Sequence, residues 1–319
     1  MTQKRGLGFV FLMILVLTCA SLAQDAPQNS NQSQSSKSVK VDVDLVLVNV
    51  TVTNNRDQLI TGLDRKDFQI WEDKVEQEIV YFSAEEVPMS VGVIFDISGS
   101  MKDKLPTALD AYATFLKGGN ALDEYSLIEF SDRPRVAAEF TTDITKLQNQ
   151  LLFKQAKGMT ALYDAVYVGL TGLKEANNPK KALLLITDGE DNKSRYTFSN
   201  VKEYVKEQDV QIYAIGIVND WNSQLGAGRT GRALIEELSE LTGGRAFFPD
   251  SVYELEDICE QIAAELKHQY VLGYHSTNEA RDGKWRKIRV KQNFSRDFDV
   301  RAKTGYYAPT GASASISKD

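Results

Sequence analysis

Val91-Gly92-Val93-Ile94-Phe95-Asp96-Ile97-Ser98-Gly99-Ser100 is the stretch that decides how this chain is read. An apolar strand ends at Phe95, and one carboxylate and two hydroxyls follow at a spacing of two, in the loop where a helix begins. Hard divalent cations take oxygen ligands in near-octahedral geometry at about 2.0–2.1 Å and keep some waters, so a few such side chains suffice. Gly99 can adopt dihedrals closed to other residues, letting the loop curl until alternate side chains converge. Asp, Ser and Gly between a strand and a helix are also ordinary turn and cap residues, and these ten residues alone do not separate the two readings.

Two further segments bear on the choice. Gly158-Met159-Thr160-Ala161-Leu162-Tyr163-Asp164 sets a hydroxyl at the mouth of an amphipathic stretch, with Leu162, Val166, Leu170 and Leu173 at helical spacing. Ala182-Leu183-Leu184-Leu185-Ile186-Thr187-Asp188-Gly189 is a buried-type strand that ends in a carboxylate on a glycine turn. Alone, Thr160 is a helix cap and Asp188 a turn former. Together, Asp96, Ser98, Ser100, Thr160 and Asp188 resemble the metal-ion-dependent adhesion site of the von Willebrand factor A (VWA) domain family, with all five positions filled in order.

That resemblance implies an α/β fold, a doubly wound, mainly parallel, Rossmann-like sheet with the metal at the carboxyl ends of its strands, where open α/β sheets place ligands in general. It implies that Ser98, Ser100 and Thr160 approach the ion, that Asp96 and Asp188 bind it directly or through water, and that one position is left for a carboxylate from a protein partner. The implied cofactor is Mg²⁺, with Mn²⁺ or Ca²⁺ as alternatives; a small shell of hydroxyls leans to the first two.

Around these motifs, strand and helix signals alternate as in a mainly parallel sheet. Strands are predicted near 91–95, 126–130, 183–187, 211–215 and 245–248, with 136–140 as an antiparallel edge. Leu105, Leu109, Tyr112 and Leu116 share one helix face, and Leu234, Leu238 and Leu241 another. Upstream, residues 41–52 alternate with the period of a half-buried strand, and shorter strand signals follow at 68–71 and 78–82. Alternation returns at 269–274, 286–290 and 298–302. Three short strands at either end are too few for two separately stable sheets, so both ends are expected to form one small β-sandwich with the α/β domain inserted in it.

The chain also resembles a bacterial secreted subgroup of that family over roughly residues 41–309. The carriers are Val46-Leu47-Val48-Asn49-Val50-Thr51-Val52, Gly62-Leu63-Asp64, Asp67-Phe68 and Tyr270-Val271-Leu272-Gly273-Tyr274. The expected division is a signal peptide over 1–23, a disordered linker over 24–40 and an N-terminal β segment over 41–86. The VWA domain follows over 87–267, then a C-terminal β segment over 268–309 and a disordered tail over 310–319.

A length of 319 residues with 42% hydrophobic content exceeds one domain's usual allotment. Lys4 and Arg5, an apolar stretch over 7–17 and Ser21-Leu22-Ala23 read as a secretory signal. An uncleaved anchor competes, but the apolar stretch falls short of the roughly 20 residues that span a membrane. Cys19 permits a lipid-anchored variant, although Thr18 before it is larger than the residue usually found there. The expected address is therefore the periplasm, the cell envelope or the medium, with membrane contact only through an N-terminal anchor or lipid. Residues 24–40, rich in Ser, Asn and Gln, have the composition of a disordered tether.

Cleavage would remove Lys4 and Arg5 and no acid, lowering a net charge of −7 by a further two. That balance argues against nucleic acid as a partner, since phosphate recognition rests on Lys and Arg. It would also leave Cys259 as the sole cysteine, hence no intramolecular disulfide. Cys259 lies among Leu255, Ile258 and Ile262 at helical spacing, the setting of a small buried thiol. His268 and His275 sit in no motif that suggests a catalytic pair.

The resulting expectation is an exported, metal-dependent binding or adhesion module with no catalytic residues, whose cation accepts an acidic residue of a protein partner. A structural envelope component, in which the ion only pins loops, is one alternative. A metal-dependent hydrolase using Glu190 or Asp191 as base is another. A serine hydrolase lacks its Gly-x-Ser-x-Gly elbow, and Gly226-Ala227-Gly228 reads as a flexible loop rather than a nucleotide site.

Overall fold

A computed structural model describes residues 44–151, 153–217, 227–293 and 297–311. The predicted signal peptide, Cys19, the tether, Gly226 and residues 312–319 of the predicted tail lie outside the described residues.

The central sheet is built from runs that are buried on both faces. Its strands are β5 (Met89–Asp96), β6 (Glu124–Phe130), β7 (Pro134–Thr141), β8 (Lys180–Thr187), β9 (Gln211–Gly216) and β10 (Ala246–Phe247), in the spatial order β10-β9-β8-β5-β6-β7. All neighbours are parallel except β7, which runs antiparallel to β6 at one edge. Successive side chains of a strand point to opposite faces, and the two cores follow that alternation. Val93, Phe95, Leu184 and Ile186 pack on one side with helices α1 (Leu105–Lys117), α2 (Ile144–Asn149) and α6 (Leu255–Lys267). Ile94, Leu183 and Leu185 pack on the other with α3 (Leu162–Gly172), α4 (Phe198–Lys206) and α5 (Ala227–Thr242). Each helix turns its predicted apolar stripe inward: Leu105, Tyr112 and Leu116 of α1 and Leu162, Val166 and Leu170 of α3 are buried.

The two ends of the chain make two four-stranded antiparallel sheets. In the first, β1 (Leu45–Asn54) lies between β11 (Tyr270–His275) and β13 (Phe298–Ala302), and β4 (Ile79–Ser83) closes the far side of β11. In the second, β12 (Trp285–Gln292) lies between β14 (Gly305–Tyr307) and β2 (Phe68–Glu72), and β3 (Val75–Gln77) pairs with β2. Val46, Val48, Val50 and Val52 of β1 meet Ile70 of β2, Leu272 of β11 and Ile288 of β12 in a shared core. The fold is thus α/β, a doubly wound, mainly parallel sheet flanked by a small β-sandwich. Arg245 ties the two parts with a bidentate pair to Asp57 at 2.8 and 2.9 Å.

Two sequence expectations change. The short strands β3 and β14 carry too few residues to show a period. Ala227 and Gly228, read as loop, open α5, whose buried Ile235 and Leu238 anchor it in the core. Gly lowers helix propensity, but tertiary packing overrides that preference.

Candidate functional site

Chain order puts β6 on one side of β5 and β8 on the other, so β5 and β8 flank the point where the winding reverses. Ligands of open α/β sheets sit outside the carboxyl ends of the strands at such a point. Asp96 is the last residue of β5, and Asp188 follows the last residue of β8; Phe95 and Ile186 are paired in register.

Backbone hydrogen bonds gather the three motif loops. Gly99 N donates to Gly158 O at 3.0 Å, and Lys157 N to Ile97 O at 2.9 Å, joining the loop after β5 to the one before α3. Asn192 N and Lys193 N both donate to Thr160 O, at 3.0 and 3.1 Å, joining the loop after β8 to the same segment. Thr160 N in turn donates to Asn192 Oδ1 at 2.9 Å. Asp191 Oδ2 accepts from Tyr163 N in the first turn of α3 and from Ser194 Oγ, so one of the two acids considered as a base is engaged in holding a helix start.

Asp96, Ser98, Thr160 and Asp188 are buried, whereas Ser100 is exposed. The site therefore has a buried floor and an open mouth. Met159 (45% exposed) and Phe153 (92%) stand in the loop that carries Thr160. The hydroxyls of Ser98 and Ser100 lie 3.1 Å apart. Asp96 Oδ1 accepts from Ser98 N at 2.8 Å, and Asp96 Oδ2 from the Thr187 hydroxyl at 2.7 Å. Burial pushes the Asp96 carboxyl up to about 6, the nearby charge of Asp188 pushes the same way, and the bonds from Ser98 and Thr187 oppose both.

Asp188 Oδ1 is buried without a hydrogen-bond partner among the described residues, while Asp188 Oδ2 lies 3.7 Å from Lys104 Nζ. An unpaired buried carboxylate oxygen is costly, and two neighbouring buried carboxylates repel unless a cation is shared between them. Carboxylate and hydroxyl oxygens suit a hard divalent cation. The residues present therefore fit such an ion, which Asp96, Ser98, Ser100, Thr160 and Asp188 would hold. Among the described residues no group of three or more His, Cys, Asp or Glu is placed to hold a metal, so any ion here depends on the hydroxyls.

Gly99 does not take the left-handed backbone expected of it. Gly158 and Gly189, in the two neighbouring loops, do, at φ +87° and +83°, while the loop after β5 turns through a short 3-10 turn at Gly99–Met101. Gly99 instead allows close approach: a Cβ on it would meet Gly158 O at 3.3 Å. Sequence reasoning passed over Thr187 and Lys104. Thr187 stands directly before the Asp-Gly turn, a signal that could have found it; Lys104 gives none, because its partners Asp188 and Ile217 are remote in sequence.

Strand order, helix layers and a loop site at the winding reversal define a Rossmann-like α/β unit carried on a β-sandwich. The sequence matches the von Willebrand factor type A domain over residues 91–261, more than half of its length, and the chain belongs to that family. No curated protein matches it. Among solved structures it is similar to a von Willebrand factor type A protein from Catenulispora acidiphila (12% identity, 86% of this chain and 76% of that one, TM-score 0.49). It is also similar to an aerotolerance-related membrane protein from Bacteroides fragilis (18%, 56% and 98%, TM-score 0.46). A third is the vWF domain of the type V pili tip protein Mfa5 from Porphyromonas gingivalis (13%, 57% and 95%, TM-score 0.45). None of these three reaches a TM-score of 0.5, so none bears on function. Among the described residues no helix is long and apolar enough to cross a membrane.

Proposed function

We propose that the protein is an exported protein-binding module that works through a metal-ion-dependent adhesion site formed by Asp96, Ser98, Ser100, Thr160 and Asp188, as in the bacterial secreted subgroup it resembles. The observation that carries this reading is the pairing of buried Asp96 with buried Asp188, one of whose oxygens is unbonded, beneath an open mouth at Ser100. A bound Mg²⁺, Mn²⁺ or Ca²⁺ supplies a positive centre for an incoming carboxylate. The chain's own residues do the rest: Asp96 and Asp188 provide charge, Ser98, Ser100 and Thr160 provide neutral donors, and Met159, next to Thr160, offers an exposed apolar side chain. The partner is a protein presenting an acidic residue. Since the chain is net negative, long-range steering does not favour such a partner, and recognition rests on the local cation.

The loops are already tied by backbone hydrogen bonds, which argues against an ion that only pins them. Asp191, bonded to Tyr163 N and Ser194, is a poor general base, which argues against hydrolysis through that residue. Neither alternative has an observation in its favour.

Affinity capture from an envelope fraction, with Mg²⁺ and with a chelator, tests the reading. A partner should be retained only with Mg²⁺, and Ser98→Ala or Ser100→Ala should release it while the melting temperature is preserved. Capture indifferent to chelation, or a melting temperature that collapses in both variants, overturns it.

A further inference from the structure

Lys104 is the unusual residue beside the site. It is 8% exposed and stands at the N-terminal boundary of α1, where the helix dipole disfavours a cation. A buried ammonium at that end of a helix needs local compensation. Two groups provide it: Lys104 Nζ donates to Ile217 O, just beyond β9, at 2.7 Å, and lies 3.7 Å from Asp188 Oδ2. Ile217 N donates to Thr187 O at 2.8 Å, so one side chain links the start of α1, the end of β8 and the end of β9.

We propose that the Lys104 ammonium is a built-in countercharge of the ion site, engaging Asp188 Oδ2 so that Oδ1 is left for the ion and setting the affinity for divalent cations. The inference rests on the metal reading above and adds a residue to it. With the ion absent, Lys104 offsets the Asp96–Asp188 repulsion and keeps the floor assembled. An ion held by Asp188 would meet in Lys104, 3.7 Å from Oδ2, a second positive charge on the same carboxylate. Like charges at such separations repel strongly at the effective dielectric of a protein interior. Orientation of Asp188 by Lys104 favours binding and this repulsion opposes it; between a full charge pair and one weak ion-pair contact, the repulsion is the larger. The site is thereby kept from holding its ion irreversibly, and engagement of a partner follows the ambient cation.

The test is calorimetric titration of the full chain with MgCl₂ and MnCl₂, comparing wild type, Lys104→Gln, Lys104→Met and Lys104→Arg. Removing the charge should tighten Mg²⁺ binding by about tenfold or more, whereas Lys104→Arg should stay near wild type. In chelator, Lys104→Gln should melt lower than wild type by about 2 °C or more. A purely structural lysine predicts weaker metal binding on substitution, so the direction of the change decides. Gln can still donate to Ile217 O; if that variant misfolds by circular dichroism, the isosteric Met variant is held to the same criterion. Charge-removed variants that bind Mg²⁺ no tighter than wild type overturn the inference and leave the metal reading standing. Wild type that takes up neither Mg²⁺ nor Mn²⁺ at millimolar concentration sinks both.

Discussion

The hydroxyl of Thr187 donates to Asp96 Oδ2 at 2.7 Å and accepts from Gly189 N at 3.1 Å, so the last residue of β8 braces the acid at the end of β5 and the turn that carries Asp188. Thr187→Val keeps the shape and removes both bonds, leaving a buried carboxylate oxygen and a buried N–H without partners. Each such group costs about 1–3 kcal/mol. Urea unfolding should show Thr187→Val destabilised by at least about 2 kcal/mol and Thr187→Ser by less than about 1 kcal/mol. A loss in Thr187→Ser larger than that in Thr187→Val would show that the methyl group, not the hydroxyl, matters.

Helix α5 is seated directly on the turn after Asp188. A Cβ on Gly231 would lie 2.1 Å from Gly189 O and 2.7 Å from its carbonyl carbon, a backbone contact that no rotamer change relieves. Gly231→Ala should therefore cost about 1–3 kcal/mol or more through overpacking and weaken divalent-cation binding by displacing the turn. Gly172, at the end of α3, has nothing within 4 Å of the same atom and a helical backbone. Gly172→Ala should instead gain roughly 0.5–1 kcal/mol from propensity. Thermal melts of the two variants moving in the same direction would contradict this account.

The sequence showed most clearly what is local. The run ending at Phe95 and the run ending at Thr187 announced buried parallel strands, and the Asp-x-Ser-x-Ser and Asp-Gly segments after them announced polar loops at the right strand ends. Alternation over Val46, Val48, Val50 and Val52 predicted the face of β1 that is buried. Long-range pairing was not legible. Thr187 reads as one more strand residue until Asp96 is seen beside it, and Lys104 reads as a solvated lysine until Asp188 and Ile217 surround it. Gly99 needs no left-handed backbone because the chain turns there through a short 3-10 turn, Gly99–Met101, and its missing Cβ instead lets the Gly158 backbone approach.

Cys259 is buried in α6, and burial pushes its thiol up to about 12 from an ordinary value of 9.0, with the charge of Glu256 adding to the shift. A raised folded-state value means that the folded protein holds this proton more tightly than the unfolded chain. The stabilisation is complete below pH 9 and is lost as pH rises towards 12. Tyr112, Tyr125 and Tyr213, also raised by burial, act in the same direction. The urea midpoint should fall from pH 9 to 11, and less steeply in Cys259→Ala. At pH 8 the native thiol should resist alkylation and become reactive in urea; rapid alkylation of the folded protein would refute its burial.

Glu72 is the electrostatic joint between the two halves of the sandwich. It is the last residue of β2, near the start of the chain, yet its oxygens accept from Tyr274 OH at 2.8 Å, Tyr306 OH at 2.9 Å, Ser276 Oγ at 2.6 Å and Arg286 at 3.3 Å. All four donors come from the C-terminal β segment. The Glu72 and Arg286 side chains are 2% and 4% exposed, so removing one partner leaves the other charge buried, a change worth about 3–5 kcal/mol. Arg286 also donates to Asn278 O and Ala280 O, which softens the loss of Glu72 but not the loss of Arg286. Arg286→Met should therefore destabilise more than Glu72→Gln, which keeps an acceptor for the two phenols. Since β1 and β4 pair only with C-terminal strands within their sheet, a chain cut after α6 should expose the apolar face of β1 and bind a hydrophobic dye. Retention of a cooperative melt with no dye binding would show that the N-terminal strands stand without their C-terminal partners.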